Sequence, residues 1–271
     1  MEPRAHRRRI EDYNLSFQLM AVDGCLARSV ADVRAGFTAL AGPHSRDPLS
    51  LPVTFTDLAE GERPKVAVLP EPPSGSTHPE IADAVRRAAD ALADEGFEVT
   101  EAVPPDYEQA LELWGSILSV DLRLVMPILE PIMGPGGRQF LSYTLDYLPA
   151  QDLATWATAL TARHGLARRW SLWYQEYPVL LCPVWTQPAF PLDYDIASAE
   201  GAIGTLELMR PVLPANLLGT PAAVVPAGMA AGLPVGVQVM GAKYTELRCL
   251  AVAEIIERRL GSLTPIDPVV G

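Results

Sequence analysis

The sequence predicts an α/β fold, a mixed and mainly parallel sheet with helices on both faces. Three consecutive patterns lead to this prediction. Residues 66–69 form a short apolar run bounded by prolines, residues 77–95 repeat apolar side chains at helical spacing, and residues 97–103 alternate apolar with polar residues. These patterns indicate strand, helix and strand. Two strands joined through a helix are expected to be parallel neighbours with a right-handed crossover, which is the building block of an α/β sheet.

The helix of this unit carries its own boundary signals. Thr77 and Glu80, three residues apart, predict a capping box, and Pro79 suits the first helical turn. Gly96 stands where a left-handed C-terminal cap belongs. One face of the helix is apolar and is expected to pack on the sheet; its residues are Ile81, Val85, Ala88 and Leu92.

Further strands and helices complete the predicted fold. Residues 179–182 form a continuous apolar run ended by a proline, which is typical of a strand buried on both faces. Residues 222–225 and 235–240 predict two more strands, and the segment 107–177 between the two groups of strands is mainly helical. A final helix is expected over residues 245–260 because its apolar residues share one face.

A helix is also predicted near the N-terminus, over residues 26–41, with Gly42 and Pro43 ending it. After it, residues 44–64 are rich in proline, aspartate and threonine and predict a surface loop. The predicted helix rests on an apolar stripe with alternating steps of four and three residues, formed by Leu26, Val30, Val33, Phe37 and Leu40.

The composition indicates a folded chain that carries excess negative charge. With 271 residues, 49% of them hydrophobic, the chain is long enough to bury a large core. Its net charge of -12 disfavours nucleic acid and anionic membrane surfaces as partners. We expect a tail over residues 1–18 and an α/β domain over residues 19–265. The tail holds a basic cluster, interpreted as a solvated end with a docking tail as the alternative, at Arg4, His6, Arg7, Arg8 and Arg9.

One short apolar run and the spacing of the three cysteines bear on localisation, disulfides and cofactors. The apolar run 19–22 is stopped by Asp23 and is too short for a signal-peptide core or a membrane helix, so we expect a cytoplasmic protein. Cys25, Cys182 and Cys249 are odd in number and widely spaced, which fits neither a disulfide framework nor a zinc site. We therefore expect reduced, packed cysteines and no cofactor.

Four short segments stand out for their sequence. In chain order they are GCLARSVADV at 24–33, VLLCP at 179–183, NLLGTPA at 216–222 and GLPVGVQ at 232–238. Together they resemble the C-terminal portion of the amidase signature family, the serine hydrolases that cleave carboxamides. The resemblance extends over roughly residues 19–260, and it implies the C-terminal part of that family's fold. In one local departure, Cys25 follows Gly24 where family members usually have proline.

The resemblance also implies a chemistry that the sequence does not support. In the family, a neutral lysine deprotonates a bridging serine, which activates a nucleophilic serine beside a glycine-rich oxyanion loop. These residues lie upstream of the element that Ala27 begins, where this chain has no lysine, serine pair or glycine run. We therefore expect no catalytic residue in this chain and no amide hydrolysis by the chain alone. A truncated gene product, the second subunit of a split amidase, and a noncatalytic binding protein remain as alternatives.

Other residues offer no replacement for the missing site. The two lysines, Lys65 and Lys243, are interpreted as solvated surface residues. A solvated lysine keeps its proton, whereas a catalytic base must be uncharged, so neither is expected to act as the base. Ser29 is expected to cap a helix. The serines nearest to glycines form no Gly-x-Ser-x-Gly elbow; they are Ser74, Ser76, Ser116 and Ser262.

Potential metal, anion and thiol sites have simpler interpretations. The run 134–138 (GPGGR) lacks the ending of a phosphate-binding loop and is interpreted as a turn. Cys182 is interpreted as a small buried hydrophobe. The four histidines have no partner at metal-ligand spacing and predict no metal site; they are His6, His44, His78 and His164.

One loop keeps a functional interpretation. In the resemblance, the loop after strand 179–183 borders the substrate channel, and here it contains Trp185 and Thr186. Trp185 offers a large apolar surface for an acyl group, with core packing as the alternative. The expected ligand is a small amide or carboxylic compound. The expected macromolecular partner is a polypeptide that supplies the catalytic half, or a second copy associating through exposed sheet edges.

Overall fold

The computed structural model describes residues 14–45, 47 and 49–261. These residues form five strands and ten helices. The strands are β1 (Val66–Val68), β2 (Val99–Glu101), β3 (Val179–Pro183), β4 (Ala222–Ala230) and β5 (Leu233–Gly241). The helices are α1 (Leu15–Met20), α2 (Val30–Leu40), α3 (Pro79–Asp94), α4 (Tyr107–Leu129), α5 (Pro135–Tyr147), α6 (Leu153–Glu176), α7 (Tyr194–Ala197), α8 (Ala199–Leu208), α9 (Leu213–Leu218) and α10 (Glu246–Leu260).

The five strands form one mixed sheet in the order β2-β1-β3-β5-β4. β1 is parallel to both β2 and β3, whereas β5 is antiparallel to both β3 and β4. Four of the five strands therefore run in the same direction. The predicted α/β class and the mainly parallel sheet are confirmed, and so are the parallel strands on either side of α3.

The sheet has a core on each face. On one face, α3 and α10 cover residues from β1, β3, β4 and β5. On the other, α4, α6 and α9 cover β1, β3 and the end of β5. β3 is buried along its whole length because both layers reach it. β4 contributes side chains to the first core only, so its other face is exposed.

The structure corrects the start of the N-terminal helix. α2 begins at Val30, and the Oγ of Ser29 accepts a hydrogen bond from the Asp32 N–H at 3.2 Å, which confirms Ser29 as its cap. Leu26 precedes the cap and is fully exposed, so its place in the apolar stripe was wrong. Leu26 was included because it fits the helical spacing of apolar residues, but the helix begins only after the Ser29 cap.

The predicted capping box of α3 is also wrong. His78 is the N-cap, without a side-chain cap, and Pro79 occupies the first turn as predicted. The Thr77 Oγ1 has no hydrogen-bond partner among the described residues. The Glu80 carboxylate instead accepts from the Ala231 N–H at 2.6 Å, because the turn between β4 and β5 lies beside the helix start. Gly96 has the predicted left-handed backbone, with φ of +89°.

Two other boundaries differ from the sequence-based expectation. Residues 135–137 are the first turn of α5, with Gly134 as the N-cap, so the interpretation of this run as a turn was wrong. Proline suits a first helical position and has no N–H to lose there. Residues 15–18, expected in the tail, belong to α1, where Ser16 is buried and its N–H donates to the Asp121 carboxylate. The basic cluster at residues 4–9 and Ser262 lie outside the described residues.

The hairpin of β4 and β5 forms one border of the sheet. β4 is longer than predicted, and its residues alternate between buried and exposed. A register shift between Pro226 and Gly228 marks a bulge. Proline is tolerated here because an edge strand leaves some N–H positions without a ladder partner. The edge of β4 that faces away from β5 is open among the described residues.

Candidate functional site

A cavity of about 440 Å³ lies where β3 ends and the outer hairpin begins. The loop after β3 supplies Trp185 and Phe190, α3 supplies Ile81 from its first turn, and β4 supplies Val224. Its other lining residues are Val184, Gln187, Ala189, Pro234, Val235 and Gly236. The position agrees with the general placement of ligands at the carboxyl ends of parallel strands.

The cavity wall is apolar and aromatic. The ring centroids of Trp185 and Phe190 are 6.4 Å apart, and those of Phe190 and Tyr194 are 5.2 Å apart. None of the described residues that line the cavity is charged. Such a wall suits an uncharged apolar or aromatic group, with Gln187 as a polar neighbour.

Phe190 also lines a second cavity, of about 540 Å³. Here the wall includes the first turn of α5, with Gly136 and Gly137, and the carboxylates of Asp193 and Asp195. The two cavities therefore share Phe190 but differ in the charge of their lining residues. The acidic one is unsuited to a carboxylate ligand because like charges repel.

The two predicted channel residues differ in position. Trp185 is half-buried and lines the apolar cavity. Thr186 is fully buried and is not among the lining residues. Its backbone joins two other segments, since its N–H donates to the Leu208 carbonyl at 3.4 Å and its carbonyl accepts from the His78 N–H at 2.8 Å. A direct ligand contact by Thr186 stays a prediction.

Lys65 is arranged as a structural cation. Its Nζ lies 3.3 Å from the Glu98 carboxylate and 4.7 Å from the ring centroid of Tyr177. The hydrogen bond with Glu98 raises the pKa of Lys65 above its usual value. The amine therefore stays protonated, which is the wrong state for a catalytic base.

Lys243 is the more unusual lysine. Loss of water around its ammonium, followed by the charge of Arg163, lowers the pKa of Lys243 below its usual value. Its side chain lies against Gly219 at the end of α9. None of the described residues near it is a serine hydrogen-bonded to its amine. A lowered pKa without a nucleophile does not make a catalytic pair.

Several serine hydroxyls among the described residues form hydrogen bonds with groups other than the lysines. Ser74 donates to the Glu108 carboxylate at 2.6 Å, Ser119 donates to backbone carbonyls, and Ser198 caps α8. Ser29 caps α2 and contacts Asp32. In this part of the chain, no serine is hydrogen-bonded to either lysine, so the serine and lysine residues do not form a relay.

The cysteines and metal-binding side chains offer no other reactive centre. Cys182 and Cys249 are buried, and burial raises the pKa of each thiol to about 12. A protonated thiol is a poor nucleophile, which agrees with the interpretation of Cys182 as a packed hydrophobe. Over the described residues, no group of three or more histidine, cysteine, aspartate or glutamate side chains is arranged to hold a metal. Nor does any described helix have the length and apolar character needed to span a bilayer.

Over most of its length the chain is similar in sequence to known amide hydrolases. The Amidase family model matches residues 12–250. The indoleacetamide hydrolase of Bradyrhizobium diazoefficiens is 33% identical over 253 residues, which are 90% of this chain and 47% of that relative. The acylamidase of Rhodococcus erythropolis is 27% identical over 268 residues, covering 94% of this chain and 56% of the relative.

Solved structures support the same fold. A 6-aminohexanoate cyclic dimer hydrolase superimposes with a TM-score of 0.73 at 24% identity, over 86% of this chain and 54% of that chain. A bacterial aryl acylamidase of the amidase signature family has a TM-score of 0.68 at 20% identity, over 87% of this chain and 52% of that chain. This chain spans about half the length of the curated relatives it matches.

Proposed function

Because this chain belongs to the Amidase family, we propose that it provides the acyl-binding wall of an amide hydrolase and that the 271-residue polypeptide alone does not hydrolyse amides. The apolar cavity at Trp185 carries the proposal. It combines an aromatic wall with a position at the carboxyl end of β3, and none of its described lining residues is a candidate nucleophile.

The proposed ligand is a small, uncharged carboxamide with an aromatic acyl group. A volume of about 440 Å³ is sufficient for a bicyclic ring with a short side chain. Trp185 and Phe190 offer ring surfaces to such a group, and Gln187 offers an amide for hydrogen bonding. The relative from Bradyrhizobium diazoefficiens is an indoleacetamide hydrolase, so indole-3-acetamide is the first compound to test.

The proposed inactivity rests on the side chains that the chain contains. Amide hydrolysis in this family class needs an activated nucleophile and donors for the oxyanion, which together supply most of the acceleration. Lys65 is held as a cation by Glu98, and Lys243 has no serine at its amine among the described residues. The described serines that have recorded hydrogen bonds pair with carboxylates or backbone groups.

Calorimetry and ammonia release on the purified 271-residue chain test the two parts of the proposal separately. We expect indole-3-acetamide to bind without ammonia release. Trp185→Ala should weaken binding by about 2 kcal/mol, or about 30-fold, because it removes a large aromatic surface. Trp156→Ala, in α6 and outside the cavity lining, is the matched control and should leave affinity unchanged.

Ammonia release that disappears on replacement of one serine would contradict the proposed inactivity. Equal affinities of the Trp185→Ala variant and the unchanged chain would contradict the proposed cavity.

A second candidate function, a subunit that binds the missing catalytic portion, is favoured by the open edge of β4. The exposed face of this strand carries Val224 and Met229, exposed by 56% and 45%. An apolar edge strand with unpaired backbone groups is a template for another strand. Because the chain spans about half of its relatives, the portion of a relative that it does not match is a suitable partner.

Mixing tests this second candidate. The chain is combined with the unmatched portion of the Bradyrhizobium diazoefficiens indoleacetamide hydrolase, and ammonia release from indole-3-acetamide is followed. We expect release from the mixture but from neither polypeptide alone, and we expect Met229→Lys, on the exposed face of β4 and outside the cavity lining, to prevent it. Absence of both complex and activity on mixing would refute the candidate.

A cytoplasmic location stays part of the proposal, to be tested by fractionation of cells that express the chain.

A further inference from the structure

Three connections meet beside the carboxyl ends of β1 and β3, and one of them also supplies Val184, Trp185 and Gln187 to the neighbouring Trp185 cavity. The three connections are residues 74–78 after β1, residues 184–188 after β3, and residues 209–212 between α8 and α9. Hydrogen bonds join them, from the His78 N–H to the Thr186 carbonyl at 2.8 Å and from Arg210 Nη2 to the Ser76 carbonyl at 3.3 Å. The three segments therefore form one structural unit around Arg210.

Arg210 is a buried cation with incomplete compensation. The residue is 4% exposed, and its Nη1 donates to the Glu207 carbonyl at 2.7 Å. The bond from Nη2 to Ser76 is long at 3.3 Å, and Nε has no partner among the described residues. The Glu207 carboxylate lies 3.8 Å from Nη1, beyond hydrogen-bonding distance, and is half-exposed. A buried guanidinium ordinarily has a carboxylate or similar acceptor in direct contact.

Other polar atoms of the same unit also lack partners. The Thr186 hydroxyl is fully buried, the Thr77 hydroxyl belongs to a residue 9% exposed, and neither has a hydrogen-bond partner among the described residues. His78 Nδ1 is also buried without a hydrogen-bond partner among the described residues. His78 is also the N-cap of the 16-residue helix α3, whose N-terminal dipole favours negative charge. These unpartnered groups belong to the same connections that the bonds of Arg210 and His78 join.

An exposed strap covers the guanidinium. Ser74, Gly75 and Ser76 are exposed, and Ser74 has a left-handed backbone with φ of +68°. A Cβ at Gly75 would collide with the Arg210 guanidinium, so only glycine allows the strap to approach it so closely. The strap is held over Arg210 by the long Ser76 bond and by the Ser74 bond to Glu108. The only recipient of the Nη2 hydrogen bond within the strap is the Ser76 carbonyl, so moving this carbonyl away frees Nη2 for another acceptor.

We propose that this unit binds the carboxylate group of a small monocarboxylic acid, which replaces the Ser76 carbonyl at Arg210 and accepts hydrogen bonds from the hydroxyls of Thr77 and Thr186. A planar carboxylate matches the fork of the guanidinium and forms charge-assisted bonds that a neutral carbonyl does not. The ligand lifts the strap 74–76 rather than entering the Trp185 cavity. The inference is independent of the proposed amide-binding wall, since the two sites use different side chains.

Thermal unfolding of the full chain in sodium acetate tests this site, with sodium chloride lowered to keep ionic strength constant. Acetate should raise the unfolding midpoint in proportion to the logarithm of its concentration above Kd, and neutral acetamide should not. Arg210→Met should abolish the acetate effect. Arg86→Met, which removes an exposed guanidinium from α3, is the matched control and should retain it. A midpoint unaffected by acetate, or raised equally by acetamide, would overturn the proposal.

A second variant keeps the test decisive if Arg210→Met does not fold. Thr186→Val preserves shape and removes one proposed donor, so it should weaken acetate binding about 5-fold, the effect of losing one hydrogen bond. Unchanged acetate affinity in Thr186→Val would count against the site. If inorganic phosphate binds as tightly as acetate, the site recognises anions in general rather than carboxylates, and the proposal is overturned. Trp185→Ala should keep the full acetate effect, which separates failure of this site from failure of the amide-binding cavity.

Discussion

β3 and β4 belong to the same sheet but have different surroundings. Every residue of β3 is buried, because α3 covers one face and the α4, α6 and α9 layer covers the other. β4 alternates between buried and exposed residues and is covered on one face only. Both sequences are apolar, but proline and glycine lie inside β4, as is typical of an edge strand, whereas the proline of β3 is its last residue.

The cavity proposed to bind the ligand lies at the boundary between these two regions. The covered region gives rigid support, and its last residues carry the loop that includes Trp185. The open region supplies Val224 and Gly236 to the same cavity. A ligand at this boundary contacts both a fixed wall and a strand that is able to accept a partner, so ligand binding and strand addition are expected to influence each other.

The largest expected difference between the two regions is in thiol reactivity. Cys182 in β3 is 1% exposed, and burial raises its pKa to about 12. At pH 8 its thiolate fraction is about 1,000-fold below that of an ordinary thiol. A cysteine introduced by Val224→Cys should react with a thiol reagent at least about 1,000 times faster than Cys182. The rates are measured by mass spectrometry, and rapid labelling of Cys182 in the folded chain would contradict its assigned burial.

A smaller but still large difference is expected in stability. Val179 in β3 is fully buried, whereas Val224 in β4 is 56% exposed. Val179→Ala should lower the free energy of unfolding by about 2 kcal/mol, from lost apolar burial and an unfilled cavity, and Val224→Ala by about 0.5 kcal/mol or less. Urea denaturation of both variants measures the contrast. Equal losses would indicate that β4 is covered on both faces, as in a complex.

Self-association tests whether the open edge is used by the chain itself. If copies pair through β4, Val224→Lys should weaken association at least about 10-fold by placing a charge on the edge, with little effect on folding. Sedimentation equilibrium measures the constants. Leu26→Lys places the same charge on a fully exposed leucine away from the sheet and serves as the control. If the unsubstituted chain is monomeric, copies of the chain do not pair through β4, and the partner expected at this edge is a different polypeptide.

The smallest expected effect concerns two lysines at the rim of the covered region. The folded-state pKa of Lys243 is lowered, so the unfolded chain binds more protons and stability rises with pH up to the usual value of 10.5. The folded-state pKa of Lys65 is raised by Glu98, so its stabilisation is full below 10.5 and is lost as pH rises through the folded value.

The two lysine variants should therefore respond with opposite signs at pH 8. Lys243→Met should raise the unfolding midpoint by no more than about 2 °C, and Lys65→Met should lower it by a similar amount. Scans from about pH 7 to the usual lysine pKa measure both. Shifts of the same sign would contradict the assigned environments.

Much of the fold follows from local sequence patterns, whereas its boundaries depend on contacts between distant residues. The apolar run of β3 and the glycine after α3 express preferences that act within a few residues, and both were predicted. The capping box was wrong, because Glu80 pairs with Ala231, which is distant in sequence. Leu26 fits the helical period of α2, yet the Ser29 cap begins the helix after it.

The candidate site was predictable only in part. Trp185 was predicted because, in the resemblance, the loop after β3 borders the substrate channel, and the structure places Trp185 and Phe190 of this loop in the cavity lining. Ile81 and Val224 also line the cavity, but their patterns predict only a helix face and a strand. Arg210 gave no signal, since a single arginine between apolar residues is ordinarily solvated; its burial results from the approach of Gly75.

The amino-acid sequence by itself determined the α/β class, the order of most elements and the family, because periodicity, caps and short motifs act locally along the chain. Only the tertiary structure decided that β4 is an edge strand covered on one face, that Trp185 lines a cavity while Thr186 is buried, and that Arg210 lies beneath the strap 74–76. Each of these depends on which distant segments meet, and packing between layers fixes that rather than any local preference.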